Sequence, residues 1–339
     1  MKARMQARGF LPATMIARLG LLASAAALAL AAAAGHAATE SYPTRPIKLI
    51  SPFSAGSPPD AFGRLVAQQL TASLGQSVVV ENRPGAGTTI GTKAAAIADP
   101  DGYTLVQVNA ALSYGPVLYP NPGYDPLKSF APVASLASWT HVLVAHPSVT
   151  ANTLQELIAQ AKAHPGQLNI GSPLGNPPHV LAEMLKMNTG ADFNSVPYRQ
   201  TPQLVTDLLA GRIQLYFSAG EPMISMINEG KLKAYAMTGV RRDTALPNVP
   251  TMAEAGLPQL TFNASDWTGI LAPAGTRADL IGRLNVAIND GLKSAEVKAG
   301  LVKLGWEAQI STPAEFGAFL AADSEKWLPI VKASGLKGD

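Results

Sequence analysis

The stretch IKLISPFSAGSPPD, residues 47–60, decides how this chain is expected to fold. Its first four residues are mostly apolar and predict a short buried strand, and a loop of small residues follows. Apolar residues then recur at helical spacing from Phe62 to Leu70, so a helix is predicted directly after the loop. The same order of strand, small-residue loop and helix start returns at residues 168–179, LNIGSPLGNPPH.

Short β-branched runs alternate with helical patterns along most of the chain, which predicts an α/β fold with mainly parallel sheets. Helix starts are indicated at Thr153, Thr201 and Thr312, because each is followed by a capping glutamate or a proline. The predicted strands are residues 47–50, 78–80, 104–108, 142–145, 168–170, 193–196, 214–217 and 234–238.

The first residues differ from the rest of the chain. Basic residues precede the alanine-rich apolar run 19–34, and small residues follow near Ala37 and Ala38. This order predicts a secretory signal peptide, residues 1–37, and therefore export to the periplasm. The apolar run is shorter than the roughly 20 residues that a membrane helix needs.

Composition excludes several function classes. The chain has Cys 0, which removes disulfides, a lipid-anchoring cysteine and thiolate metal sites. The net charge of +3 includes four basic residues of the leader, so no nucleic-acid partner is expected. A chain of 339 residues exceeds the size of about 250–300 residues at which a single core stops growing, so two domains are expected.

Both small-residue loops suit an anion, because a helix start exposes unpaired N–H groups and the positive end of the helix dipole. The alternative is that both are ordinary connections between a strand and a helix. In the ligand-binding hypothesis, donors come from Ser54, Gly56, Ser57, Ser172, Gly175 and Asn176. The full predicted site comprises Phe53, Ser54, Ala55, Gly56, Ser57, Asp60, Thr88, Asn109, Ser172, Leu174, Gly175, Asn176, His179, Tyr198 and Ser218.

Several of these residues have a second interpretation. His179 could contact ligand or cap its helix, and Asp60 could complement the helix dipole without any ligand. Trp139 and Trp267 could line a cleft, although large aromatic side chains more often belong to a core. Arg83 could bind a carboxylate, but an ion pair with Glu81 is favoured because the segment is predicted to form a turn.

Enzyme motifs are weak. The glycines of residues 85–91 resemble a dinucleotide fingerprint, but their spacing and position fail, and no paired histidines or Gly-x-Ser-x-Gly elbow occur. We therefore predict no cofactor, no metal and no catalytic residue. The rival hypothesis is a secreted hydrolase or lyase that uses a serine or aspartate in the same cleft.

Several motifs in order resemble the Bug family, the TctC-like receptors of tripartite tricarboxylate transporters. They are Tyr42-Pro43-Thr44-Arg45-Pro46-Ile47, Pro52-Phe53-Ser54-Ala55-Gly56, residues 80–87 (VENRPGAG), residues 100–105 (PDGYTL) and residues 272–276 (APAGT). The resemblance implies a type II periplasmic-binding-protein fold of two lobes joined by crossing hinge strands. It places lobe 1 at residues 38–140 plus 265–339 and lobe 2 at residues 141–264.

The resemblance also implies a function: the two loops would clamp a carboxylate as the lobes close, and membrane permease subunits would receive the solute from a monomeric receptor. A receptor that signals through a sensor kinase is a further possibility. The chain departs from the family at Ser57-Pro58-Pro59, Tyr198-Arg199-Gln200 and Ser218-Ala219-Gly220. A dicarboxylate, an amino acid and an aromatic acid all remain open as the ligand.

Overall fold

The computed structural model describes residues 42–219, 223–263 and 265–338. Within these ranges the strands form a six-stranded and a five-stranded sheet, each joined to helices by short connections. The predicted signal peptide, residues 1–37, lies outside the described residues. No described helix is both long and apolar enough to cross a membrane.

The six-stranded sheet has the order β11-β4-β10-β3-β1-β2. Parallel pairing joins β1 to β2 and β3, whereas β10 and β11 run antiparallel to their neighbours. Its strands are β1 (Ile47–Ser51), β2 (Val78–Asn82), β3 (Thr104–Asn109), β4 (Phe130–Trp139), β10 (Asp266–Pro273) and β11 (Glu307–Ala308).

The five-stranded sheet has the order β7-β6-β8-β5-β9. Its strands are β5 (Val142–Ala145), β6 (Asn169–Pro173), β7 (Asn194–Tyr198), β8 (Leu215–Ser218) and β9 (Lys233–Met237). Across both sheets, four described pairings are parallel and five antiparallel. The α/β class is confirmed, but the expectation of mainly parallel sheets is wrong because β4, β5 and β10 run against their neighbours.

Helices connect the strands, and three of them begin where the sequence indicates. The described helices are α1 (Pro58–Leu74), α2 (Thr89–Ala96), α3 (Ala111–Leu118), α4 (Leu154–Ala163), α5 (Pro177–Thr189), α6 (Thr201–Leu209), α7 (Met223–Asn228), α8 (Ala278–Leu292), α9 (Ala295–Leu304) and α10 (Pro313–Ser334). The predicted starts of α4 and α10 are confirmed, because Thr153 and Thr312 each accept a hydrogen bond from a main-chain N–H in the first turn. α6 begins at Thr201, as expected.

The chain passes from one sheet to the other between β4 and β5, and again between β9 and β10. Asp266, at the start of β10, lies opposite Trp139, at the end of β4, so the two passages are adjacent. The predicted lobe boundaries at residues 140/141 and 264/265 fall in these passages and remain predictions. This arrangement places the carboxyl ends of β1 and β6, with the loops that follow them, on a common cavity.

Candidate functional site

A cavity of about 820 Å³ is lined by residues from both sheets. This volume lies in the range of small-molecule binding sites, about 300–1,000 Å³. Ten of the fifteen predicted site residues line it: Phe53, Ser54, Gly56, Ser57, Thr88, Asn109, Leu174, Asn176, Tyr198 and Ser218. The sequence pattern therefore located the cavity from both of its sides.

Four helices begin at this cavity, since their N-cap residues all line it. None of these N-caps makes a side-chain hydrogen bond to its own helix, although three helices elsewhere, α4, α9 and α10, are capped in that way. Helices α3 and α8 also lack such a cap. The four N-caps at the cavity are Ser57, Thr88, Asn176 and Gln200. The positive ends of α2, α5 and α6 are thus left for a ligand, whereas the carboxylate of Asp60 in the first turn of α1 offsets the end of that helix.

The two loops that precede α1 and α5 are built alike. We call residues 52–57 the first loop and residues 174–176 the second loop. Each contains a glycine with a left-handed backbone, φ 78° at Gly56 and φ 71° at Gly175. The N–H of Gly56 donates to the carboxylate of Asp60 at 3.0 Å, and that of Gly175 donates to Nδ1 of His179 at 3.2 Å. A side chain four residues onward therefore holds each glycine in place.

Several main-chain donors of the two loops are already engaged within the protein, including those of four residues expected to supply donors to a ligand. Besides the two glycines, the N–H of Ser57 donates to Ser54 O at 3.1 Å, and that of Asn176 donates to Pro173 O at 3.2 Å. The double prolines at the starts of α1 and α5 have no N–H at all. Direct hydrogen bonds to a ligand are therefore left to the remaining N–H groups of the first loop and to side chains.

One such side chain is Ser57. Ser57 is a cavity-lining residue that is only 4% exposed, and its buried Oγ has no hydrogen-bond partner. Ser172 is equally buried and its Oγ is also unpartnered, but it does not belong to the cavity lining. A buried hydroxyl without a partner costs stability, about 1–3 kcal/mol. A ligand that accepts from Ser57 would remove that cost.

Asp60 and His179 lie beneath their loops rather than at the cavity wall. Burial would raise the pKa of Asp60, but hydrogen bonds from Asn82, the Gly56 N–H and Arg64 outweigh it and hold the pKa below its ordinary value. Burial lowers the pKa of His179. Asp60 is therefore the charged member of the pair and His179 the neutral one.

Three other predicted site residues also lie outside the lining. Ala55 is exposed on the first loop, Ser172 is buried in β6 and Gly175 belongs to the second loop, but none of the three lines the cavity. Trp139 lines the cavity, but Trp267 belongs to the core, where its indole N–H donates to Asp323 at 3.0 Å. Arg83 pairs with Glu81, as favoured from the sequence.

Contacts cross the cavity between the two sheets. Ser54 Oγ donates to the main-chain oxygen of Arg199, and Asn109 Nδ2 donates to Asn176 Oδ1, each at 3.4 Å. A methyl group placed on Gly175 would lie 2.7 Å from Cα of Gly87, so the main chains of the two sides touch there. The two sides are close enough to hold one small ligand together.

Sequence reasoning missed a second group of lining residues, which we call the hinge-side cluster because most of it lies at the passages between the sheets. It consists of Trp139, His141, Tyr216, Asp266 and Trp306. The rings of Trp139 and Trp306 are stacked, with centroids 3.8 Å apart and an interplanar angle of 7°. Of these five, only Trp139 was considered from the sequence.

Burial governs the charge of this cluster. It lowers the pKa of His141 to about 3, so the imidazole is neutral at pH 7, and Nδ1 lies 2.8 Å from Ser265 Oγ. Burial raises the pKa of Asp266 well above its usual range, and the nearby Asp323 adds to the rise. Both effects favour uncharged side chains. The described residues contain no group of three or more histidines, aspartates and glutamates that could hold a metal ion.

Comparisons with known proteins agree with this geometry. A family profile described as tripartite tricarboxylate transporter family receptor matches residues 62–336. The protein BugT of Bordetella pertussis is 38% identical over 313 residues, 91% of this chain and 95% of BugT.

Two solved structures are similar over the whole architecture. The periplasmic binding protein BugD has a TM-score of 0.81 and 32% identity, covering 87% of this chain and 99% of BugD. A Rhodopseudomonas palustris protein solved with adipate also has a TM-score of 0.81, with 29% identity and coverage of 87% and 99%. The similarity therefore includes both sheets.

Proposed function

Because this chain belongs to the tripartite tricarboxylate transporter receptor family, it is a solute-binding receptor, and we propose that it captures a small carboxylate in the cavity between its two sheets. The periplasmic-binding-protein fold expected from the sequence is confirmed by the neighbouring structures. The rival hypothesis of a hydrolase or lyase has no support, since the similar proteins are binding proteins.

Two observations support the proposal. Four helices without a side-chain N-cap hydrogen bond begin at one cavity, and Ser57, which lines that cavity, has a buried hydroxyl without a hydrogen-bond partner. Each helix end stabilises a negative charge by about 0.3–1 kcal/mol, or up to about 2 kcal/mol when partly buried. A single end would hold an anion poorly, but the ends of α2, α5 and α6 and a charge-assisted hydrogen bond all favour the same anion, while Asp60 offsets the end of α1. The related protein solved with adipate is consistent with a carboxylate ligand.

The predicted binding residues keep distinct roles in this proposal. Ser54, Ser57, Thr88, Asn109, Asn176 and Ser218 supply polar side chains, whereas Phe53, Leu174 and Tyr198 shape the cavity. Asp60 and His179 position the first and second loops, because each accepts from the loop glycine. Affinity would require both sides, with closure of two lobes about the passages between the sheets.

The remaining features follow from family membership. Family members are periplasmic binding proteins, so this chain would act in the periplasm after removal of residues 1–37 and deliver its solute, as a monomer, to membrane permease subunits. The sensor-kinase alternative uses the same cavity and differs only in the partner that the closed form contacts.

Isothermal titration of residues 38–339 with adipate, malate and benzoate tests the proposal. At least one of these should bind, and a ligand at 100 times its Kd should stabilise the protein by about 2.7 kcal/mol in a thermal-shift experiment. Glucose and choline serve as a neutral and a cationic control. If only the controls bound, the carboxylate assignment would be wrong.

A further inference from the structure

The hinge-side cluster differs from the rest of the cavity, because it is aromatic and lies away from the helix starts along the chain. Trp139 and Trp306 present stacked indoles, and Tyr216 adds a third ring, each at most 6% exposed. Aromatic walls of this kind favour a flat, apolar ligand body, since stacked or edge-to-face rings gain stability beyond their buried area. A carboxylate at the helix starts would direct the rest of its molecule toward these rings.

Charge at the hinge side argues against a second carboxylate on the ligand. Arg199 is the only lysine or arginine among the described lining residues, and it is exposed on the segment that contacts Ser54. A second carboxylate near Trp306 would instead face the carboxyl of Asp266 without a cation beside it. Burying an unpaired charge is unfavourable, so a dicarboxylate fits this end poorly.

Charge also argues against an ammonium group there. Asp266 is 4% exposed, and its Oδ1 already accepts from the main-chain N–H groups of Trp267 at 2.8 Å and Ala110 at 3.3 Å. Its burial favours the neutral carboxyl, and His141 is neutral as well. The hinge-side cluster therefore matches an uncharged group better than a charged one of either sign.

One polar group of the cluster lacks a partner. The indole Nε1 of Trp306 is buried and makes no hydrogen bond, although a buried indole N–H usually finds an acceptor. Its ring lines the cavity. The unmet donor specifies what a bound ligand would need at this end, namely a neutral hydrogen-bond acceptor.

We propose that the ligand is an aromatic monocarboxylic acid: its carboxylate lies at the helix starts near Ser57, its ring packs against Trp139 and Trp306, and a neutral acceptor on the ring meets the Trp306 indole N–H. This inference rests on the proposed function and narrows it to one substrate class.

Matched ligands test it by isothermal titration on residues 38–339. Benzoate is compared with cyclohexanecarboxylate to test the ring, with terephthalate to test a second carboxylate, and with 4-methoxybenzoate to test the acceptor. We expect benzoate to bind at least about tenfold more tightly than terephthalate or adipate. We expect 4-methoxybenzoate to bind about three- to tenfold more tightly than benzoate, as one neutral hydrogen bond allows.

The variant Trp306→Phe retains a ring but removes the N–H. It should reduce the ratio of 4-methoxybenzoate affinity to benzoate affinity to about one, whatever the change in benzoate affinity itself, a selective loss that general unfolding cannot produce. Should this variant fail to fold, the wild-type ligand series alone decides between the outcomes.

The possible failures are distinguishable. Preferential binding of adipate, malate or terephthalate would overturn this inference and leave the proposed function intact. Preferential binding of phenylalanine over benzoate and 4-methoxybenzoate would also overturn it, because the ammonium would then be the recognised group. Failure of every carboxylate to bind would contradict the proposed function itself, and the inference with it.

Discussion

The first and second loops contain the same hydrogen-bond arrangement, but the accepting side chain is charged in the first loop and neutral in the second. In each, a left-handed glycine donates its N–H to a side chain four residues onward, inside the first turn of the following helix. That acceptor is the carboxylate of Asp60 in the first loop and the imidazole of His179 in the second loop. The backbone geometry is thus shared, whereas the electrostatics are not.

Because of this difference, the two loops are expected to contribute to anion binding in different ways. The charge of Asp60 sits at the start of α1 and offsets the positive end of that helix dipole. The neutral His179 leaves the corresponding end of α5 free to attract an anion. The first loop instead contributes Ser57, a cavity-lining residue whose buried hydroxyl has no hydrogen-bond partner. We conclude that α5 contributes attraction and the first loop contributes a directed hydrogen bond.

The largest expected effect comes from removing the two acceptors. Asp60→Ala should lower the free energy of unfolding by about 3 kcal/mol, because Gly56 N–H, Asn82 and Arg64 lose a buried charged partner. His179→Ala should cost about 1–2 kcal/mol, since mainly one N–H is left unpaired. Urea unfolding of the ligand-free protein measures both. Equal losses would show that the two loops do not differ in this way.

The next effect concerns ligand affinity. Ser57→Ala should weaken carboxylate binding about 10- to 100-fold, the value of a hydrogen bond to a charged group, without destabilising the free protein. Ser172→Ala should weaken binding less than about threefold, because that hydroxyl does not line the cavity. Ser73→Ala, on the exposed far end of α1, is the matched control. A larger loss at Ser172 than at Ser57 would reverse the assignment of roles.

The two loops and the strands that precede them could be predicted from the sequence. Both loops were predicted from their residues, and the strands that precede them are observed within a few positions of the expected bounds. The acceptor roles were not predicted, although Gly56 precedes Asp60 and Gly175 precedes His179 by the same four residues. Repetition of that spacing in both loops is the signal that favours positioning over direct ligand contact.

Other features depend on tertiary pairing and gave no local signal. β4 is rich in alanine and serine and contains Pro132, so neither β-propensity nor alternation indicates a ten-residue strand. Trp306 reaches the cavity because the short strand β11 that follows it pairs with β4. A residue about 170 positions from Trp139 could not be placed against it by periodicity. The hinge-side cluster was therefore beyond sequence reasoning.

The two loops should respond differently to acid, because His179 and Asp60 lose their contributions to the free energy of unfolding in different pH ranges. The pKa of His179 is lowered from 6.5, so below that value the unfolded chain binds a proton that the folded protein excludes. The free energy of unfolding therefore falls as pH decreases from about 7, by up to about 1.4 kcal/mol per pH unit for this group. Asp60, with a pKa below 3.8, adds its loss only at more acidic pH.

The variant His179→Asn isolates this contribution, since its amide oxygen can accept from Gly175 but does not titrate. Urea unfolding of wild type and variant at pH 7.5 and pH 5.5 should show the variant gaining on the wild type as the pH falls. His141 titrates in the same direction in both proteins and cancels in the difference. A constant difference between the two pH values would contradict a neutral His179.

The smallest expected effects come from alanine substitutions of Gly56 and Gly175, which differ in what surrounds them. Gly56→Ala should cost about 1 kcal/mol of stability, because the position requires a left-handed backbone, and Gly175→Ala should cost more, because its methyl group also meets Cα of Gly87 at 2.7 Å. A methyl group at Gly56 would meet nothing within 4 Å, whereas one at Gly175 would press against Gly87 across the cavity. Only the Gly175 substitution should therefore also hinder the approach of the two sides and weaken ligand binding.

Isothermal titration with the tightest-binding acid, beside urea unfolding, separates these contributions. If approach of the two sides is part of binding, Gly175→Ala lowers affinity beyond Gly56→Ala under conditions where both variants are fully folded. Equal affinities would mean that ligand is held without the contact between Gly87 and Gly175, so closure would add nothing to capture. The glycine pair thus tests whether the second loop acts through its contact with the opposite side as well as through its helix end.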